Sequence, residues 1–162
     1  ACSTLKKLLK DVKEDPDSTP TVAAGQGGAT YQGGLSSKRV EYYLDKSRNN
    51  IDSDTVILGS TGKYDVIAEN EGYTYFKMSD DVWSSLEKET GKNYDEIWKV
   101  NQQFIDEQIA SNKNILLSND PYKGYYFPDG TSRFYQREID YISSKGYTFK
   151  KNTDGLWNAI RK

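Results

Sequence analysis

Residues 56–120 constrain the fold more than any other stretch. Val56-Ile57-Leu58-Gly59 is a short apolar run ending in glycine, and a helical pattern runs from Tyr64 to Asn70. A second apolar run, Tyr73-Thr74-Tyr75-Phe76, precedes a long helical region and a third run, Ile115-Leu116-Leu117-Ser118-Asn119-Asp120. Strand, turn, helix, strand, helix, strand predicts an α/β layer. The third run is apolar without alternation, so it reads as the most buried of the three, an inner strand covered on both faces. Chemistry in such sheets collects where strands end and turns begin. Residues 59–63 and 118–123 are therefore the first candidates for a site.

The flanking segments complete the outline. Residues 3–14 read as an amphipathic helix with Leu5, Leu8, Leu9 and Val12 on one side, and residues 16–37 as a Gly/Pro-rich linker or loop. Ser36 to Leu44 reads as a second helix, capped by serine with Glu41 near the capping-box place. Ser79-Asp80-Asp81 caps a helix through Glu89, and another runs from Asn93 to about Ser111. Ser132 opens a helix through Lys145 that Gly146 closes, and residues 147–149 and 156–160 form two strands across a turn. The expected fold is α/β, with α+β the alternative. It comprises a mixed sheet of four to five strands flanked by helices, with a helical N-terminal extension. Residues 1–34 form the extension and linker, and residues 35–162 the compact domain.

Composition narrows the chemistry. There is no histidine and one cysteine, Cys2. Ser-His, Cys-His and histidine-pair mechanisms are excluded, as is an internal disulfide, and zinc or haem ligation is all but excluded. Catalysis must fall to carboxylates, Lys, Arg, Tyr, hydroxyls or a hard cation such as magnesium. The 13 tyrosines supply packing area that the low aliphatic content does not. No stretch is apolar and long enough to span a membrane. Acids predominate in residues 41–120 and cations in residues 121–162, a division that suits two partners of opposite charge or reflects only a solvated acidic helix face.

Two polar residues fall inside apolar helix arcs. Asn101 lies among Tyr94, Ile97, Trp98, Phe104, Ile105 and Ile109, and a buried amide there must hold something, most simply the backbone of a nearby loop. Glu138 lies among Phe134, Tyr135, Ile139, Tyr141 and Ile142, where a carboxylate is either paired with a cation or put to use. Asp106 lies off its stripe and reads as plain surface. The loop Tyr122-Lys123-Gly124-Tyr125-Tyr126-Phe127-Pro128-Asp129-Gly130 is turn-rich and unusually aromatic.

The spacing of Leu58-Gly59, Tyr64, Ala68, Gly72, Phe76, Trp98, Asn101, Phe104-Ile105-Asp106, Leu117-Ser118, Glu138 and Tyr141 through Ser144-Lys145-Gly146-Tyr147 resembles a C-terminal module of bacterial polymorphic toxins. Such modules sit on wall-associated, Rhs, LXG and contact-dependent-inhibition carriers, and the resemblance covers residues 56 to about 160. It implies a toxin tip released from a secreted or cell-surface carrier, acting in the cytoplasm of the target cell and neutralised by a cognate immunity protein. Many such tips are nucleases, tRNA is a frequent substrate, and a host activating factor is a possible partner. The start at Ala1, with Met78 the single methionine, fits a piece cut from a longer protein.

Three functions compete on these residues. A histidine-independent ribonuclease would use Glu138 or Asp120 as proton carrier and Arg137, Lys123, Arg133, Lys145, Lys150 or Lys151 to stabilise the phosphorane. Tyr122, Tyr125, Tyr126 and Phe127 would stack on splayed bases, unless they simply pack at an edge. Ser118 and Asn101 would position substrate. This reading needs no cofactor. A magnesium-dependent variant would gather Asp120 and Glu138 at strand ends. A nucleotide-handling toxin, consuming NAD or transferring ADP-ribose, would cradle phosphate on the amides of the turn Gly59-Ser60-Thr61-Gly62-Lys63, with Ser60, Thr61 and Lys63 in contact. That turn lacks the spacing of a known phosphate loop, and a plain tight turn explains it as well. A non-enzymatic binding module would use the acidic middle as its partner surface.

Overall fold

The computed structural model describes residues 34–162. The expected helix at 3–14 and most of the linker lie outside the described residues. In chain order the elements are α1 Ser37–Asp45, β1 Arg48–Asn49, β2 Thr55–Leu58, α2 Tyr64–Glu71, β3 Tyr75–Phe76 and α3 Asp80–Thr90. They continue with α4 Tyr94–Ala110, β4 Asn114–Leu117, α5 Phe134–Ser144, β5 Tyr147–Lys151 and β6 Trp157–Arg161. The chain is α/β, as expected, with a mixed four-stranded sheet and a two-stranded ribbon.

The described chain divides into two compact units: one holds the residues up to Asp45 together with Asp80–Val100, and the other holds Lys46–Ser79 with Asn101–Lys162. The first is helical. Ser36 caps α1, its Oγ accepting the Arg39 N–H at 3.1 Å, so the reciprocal capping-box place falls on Arg39 rather than Glu41. Buried Arg39 instead makes a two-pronged bond to Glu89 of α3, at 2.8 and 2.9 Å, and the Tyr43 hydroxyl donates to the same carboxylate at 2.7 Å. Asn93 caps α4 by accepting the Asp95 and Glu96 N–H groups.

The second unit holds the sheet, in the order β2-β4-β6-β5. β2 and β4 run parallel, and β6 is antiparallel to both β4 and β5. β4 is an inner strand, as its apolar run requires, yet β2 is the more buried: all four of its residues are buried, whereas Asn114 of β4 is exposed and Leu116 half-buried. The cause is cover. Ile57 packs in a cluster with Ala68 and Tyr75, flanked by Tyr64, Ile67, Tyr73 and Leu116.

The second apolar run does not join the main sheet as a full strand. Thr74 makes a single parallel bridge to Val56, and β3 pairs with β1 in the separate ribbon. Gly72 ends α2 in the left-handed region, φ +78°, and turns the chain there. α5 begins at Phe134, two residues later than its serine suggested, because Ser132 bridges Tyr126 in a small hairpin and Phe127 N–H donates to Thr131 O.

Candidate functional site

Parallel pairing brings two strand ends together. β2 and β4 are in register from Thr55↔Asn114 to Leu58↔Leu117, so Gly59-Ser60 and Ser118-Asn119-Asp120 leave the sheet side by side. Asn119 ties them: its Oδ1 accepts the Ser118 hydroxyl at 2.7 Å and the Ser60 N–H at 2.9 Å. Gly59 is needed for this approach, since a Cβ there would lie 1.8 Å from Ser118 Oγ and 3.0 Å from Ser118 Cβ. Gly59→Ala is expected to destabilise the chain by about 1–3 kcal/mol through overpacking, read as a lower urea midpoint. Ser118→Gly removes the two Ser118 atoms, leaving Asn119 Oδ1 at 2.8 Å, and should recover part of that loss; an equal loss in both backgrounds would rule out the Ser118 contact as the cause.

α5 reaches these ends through Tyr135, whose hydroxyl donates to Asn119 O, and one turn further along the same helix stands Glu138. The buried face of α5 carries Tyr135, Glu138, Ile139 and Ile142, the helical spacing of a core stripe. Glu138 is 6% exposed, and Asn101 of α4, 4% exposed, donates its Nδ2 to Glu138 Oε2 at 3.0 Å. Asn101 therefore holds a carboxyl rather than the loop backbone expected of it. Burial drives the Glu138 carboxyl up to about 8, the Asn101 N–H only partly opposing it, and no cation among the described residues offsets the shift. Of the two fates open to a carboxylate on a core face, cation pairing is thus not the one found. At neutral pH most of this group is protonated. A protonated Glu138 has an O–H to offer, and Asn101 Oδ1 is buried without a hydrogen-bond partner.

Two tyrosines feel the same carboxylate. Burial raises the Tyr64 and Tyr135 phenols well above their ordinary values, and the charge of Glu138 is the next cause in both. Tyr64 donates its hydroxyl to Phe76 O and Tyr135 to Asn119 O, each at 2.5 Å. Tyr135 also meets Tyr125, ring centroids 5.0 Å apart, and the Tyr125 hydroxyl donates to Asp120 O at 2.8 Å. Tyr135, one helical turn from Glu138 and within its field, is thus joined by contacts to Asn119, Tyr125 and Asp120. A carboxyl that titrates near neutrality in a dry setting is suited to carrying a proton to or from a reacting group.

The other expected residues are placed less centrally. Asp120 is exposed, its carboxylate accepting the Tyr122 N–H at 2.8 Å, and Lys123 closes the same turn. Arg137 neighbours Glu138 in sequence, but its guanidinium sits over the Phe134 ring at 5.7 Å. Lys145 lies over Tyr141, at 5.1 Å, and Tyr126 is exposed, its carbonyl accepting Arg133 Nε. Asp106, read as plain surface, accepts the Tyr141 hydroxyl. Asn119 lies in the expected 118–123 segment, whereas Tyr64 and Tyr135 are not expected site residues, although Tyr64 belongs to the toxin-like spacing and Tyr135 precedes Glu138 by three places on one helix face.

The turn at residues 59–63 is already filled. Ser60 N–H goes to Asn119, Gly62 N–H to Asp65 Oδ1 at 2.8 Å, and the Lys63 and Tyr64 N–H groups to Ser60 O. Burial opposes the charge on Asp65, yet Lys77 at 2.7 Å and the Gly62 N–H hold its carboxyl below the usual range. A carboxylate thus stands where a phosphate would have to sit, and Thr61 and Lys63 are exposed around it. A magnesium site built on Asp120 and Glu138 would need both carboxylates ionised and gathered on the ion. The described residues hold no group of three or more His, Cys, Asp or Glu able to bind a metal ion. Among them, too, no helix is long and apolar enough to cross a membrane. No protein-family model, curated protein or solved structure matches the chain.

Proposed function

We propose that this chain is the effector tip of a bacterial polymorphic toxin and that it cleaves RNA, tRNA first among the substrates, by metal-independent proton transfer through Glu138. The observation that carries the reading is the buried Glu138 carboxyl, shifted to about 8 and held by Asn101, on the helix whose Tyr135 bonds Asn119 at the end of β4. In a chain without histidine, RNA cleavage needs another group that titrates near neutrality, and a desolvated carboxyl supplies it. Protonated Glu138 would give its proton to the departing 5′-oxygen. Asp120, exposed at the end of β4, would take the proton of the attacking 2′-hydroxyl, and Lys123 in the same turn would face the phosphorane charge. The toxin-like spacing supports the biological setting: a secreted or surface-borne carrier, action in the cytoplasm of the target cell, and a cognate immunity protein that masks the tip.

The nucleotide-handling alternative loses ground because two of the amides it requires are already bonded, Ser60 N–H to Asn119 and Gly62 N–H to Asp65. Inducible expression of residues 1–162 in bacteria, with total RNA resolved on a denaturing gel, tests the proposal. Growth arrest with discrete RNA fragments is the expected result. Arrest with intact RNA and depleted NAD would move the assignment to nucleotide chemistry.

A further inference from the structure

We infer that the outer strand pair and the loop beneath Asp120 form a stacking platform for unpaired bases, so that the substrate is bound as a single-stranded segment. The inference deepens the RNA-cleaving reading and rests on it. β5 and β6 present a fixed pattern on one face, rung by rung: Lys151 opposite Trp157, Phe149 opposite Ala159, and Tyr147 opposite Arg161. Side chains paired across an antiparallel ladder share a face, so Phe149 holds the middle rung and each end rung pairs a ring with a cation, at the margin of a face that continues to buried Ile115 and Leu117. Phe149 and Trp157 are half-buried, and Tyr122 stands edge-on to both, with centroids at 5.8 and 5.6 Å. Arg161 lies over the Tyr147 ring at 5.1 Å, and Lys151 is exposed.

Tyr122 is the outermost of these rings. It is 66% exposed, and Tyr126 and Phe127, also exposed, follow within five residues. Phe127 carries the Arg133 guanidinium over its face at 4.4 Å. An exposed phenol ring backed by two half-buried rings is a rigid surface, ordered before any ligand arrives. Bases stack on such rings whatever their identity, and flanking cations take the phosphates. A double helix cannot use the platform, because its bases are already stacked on one another. The platform also has a direct route to Glu138: Tyr122 lies two residues beyond Asp120, whose carbonyl holds Tyr125, which packs on Tyr135.

The test uses the full chain carrying Glu138→Gln, which removes the transferable proton, with a fluorescently labelled oligoribonucleotide in single-stranded and duplex form at one fixed salt concentration. Anisotropy is expected to show the single strand bound at least tenfold more tightly than the duplex. Adding Tyr122→Ala should weaken single-strand binding about tenfold, by the usual value of one base–ring stack, and Tyr122→Phe should restore it. Tryptophan fluorescence should be quenched on binding, and the quench should shrink in Trp157→Phe. Equal affinity for the two forms, or full affinity in Tyr122→Ala, would overturn the platform and leave the surface lysines to account for binding. The two proposals separate cleanly. Wild-type chain that cuts RNA while Tyr122→Ala binds and cuts normally defeats only the platform; single-strand binding by a wild-type chain that cuts nothing defeats only the nuclease.

Discussion

Glu138→Gln is expected to lower RNA cleavage by about 10²- to 10⁴-fold while the chain stays folded, the usual range for losing a general acid or base. The replacement has nearly the same shape, and its amide oxygen can still accept the Asn101 N–H that now goes to Oε2 at 3.0 Å. What it lacks is a proton to give. Wild-type activity should fall as pH rises through about 8, where Glu138 ionises, and that limb should vanish in the variant. The pH limb matters because a merely structural role would change the amount of folded protein and not the shape of the rate profile. Unchanged cleavage by Glu138→Gln would leave Glu138 a buried acid with no part in the reaction, and Asp120 would then have to act alone.

Periodicity alone places much of the fold. The pairing of residues 147–151 with 157–161 follows from two apolar runs across a turn, and the strand ends at 59–63 and 118–123 follow from the parallel layer. Glu138 and Asn101 are detectable because each breaks an apolar arc. Their mutual bond is not, since it joins residues far apart in the chain and a sequence pattern carries no partner information. Arg137 misleads for a simple reason: neighbours on a helix point about 100° apart, so a cation beside Glu138 in sequence turns toward Phe134 instead. β1 is invisible because Arg48-Asn49 is short and polar, and without it the second apolar run looks like a third strand of the main sheet. Tyr64 and Tyr135 are hidden by their own chemistry. In a tyrosine-rich chain a ring on an apolar stripe reads as packing, and only the carboxyl next to it gives the hydroxyl another meaning.

The same carboxyl should leave a mark on stability that is unusually easy to isolate. A glutamate whose folded-state value is raised from 4.5 to about 8 binds a proton in the folded chain that the unfolded chain has already released across that interval. Stability contributed by the protonated form is therefore complete below about pH 4.5 and is lost as pH climbs toward 8. Histidine normally dominates titration between about pH 5 and 8, and this chain has none. The depressed carboxyls of Asp65 and Glu96 lose their contribution only on the acid side of this window. Urea midpoints measured from about pH 5 to about pH 8 should thus decline in the wild type and stay level in Glu138→Gln. At pH 7 the variant is expected to be the more stable protein, by on the order of 3 kcal/mol, because its side chain is neutral without the proton that Glu138 must take up on folding. Its amide N–H also suits Asn101 Oδ1, which has no partner in the wild type. A variant that is more stable and far less active is the signature of a group kept for chemistry at the expense of the fold. Parallel pH profiles for the two proteins would show that Glu138 ionises as an ordinary carboxylate, and the proton-carrying role would fall with that result.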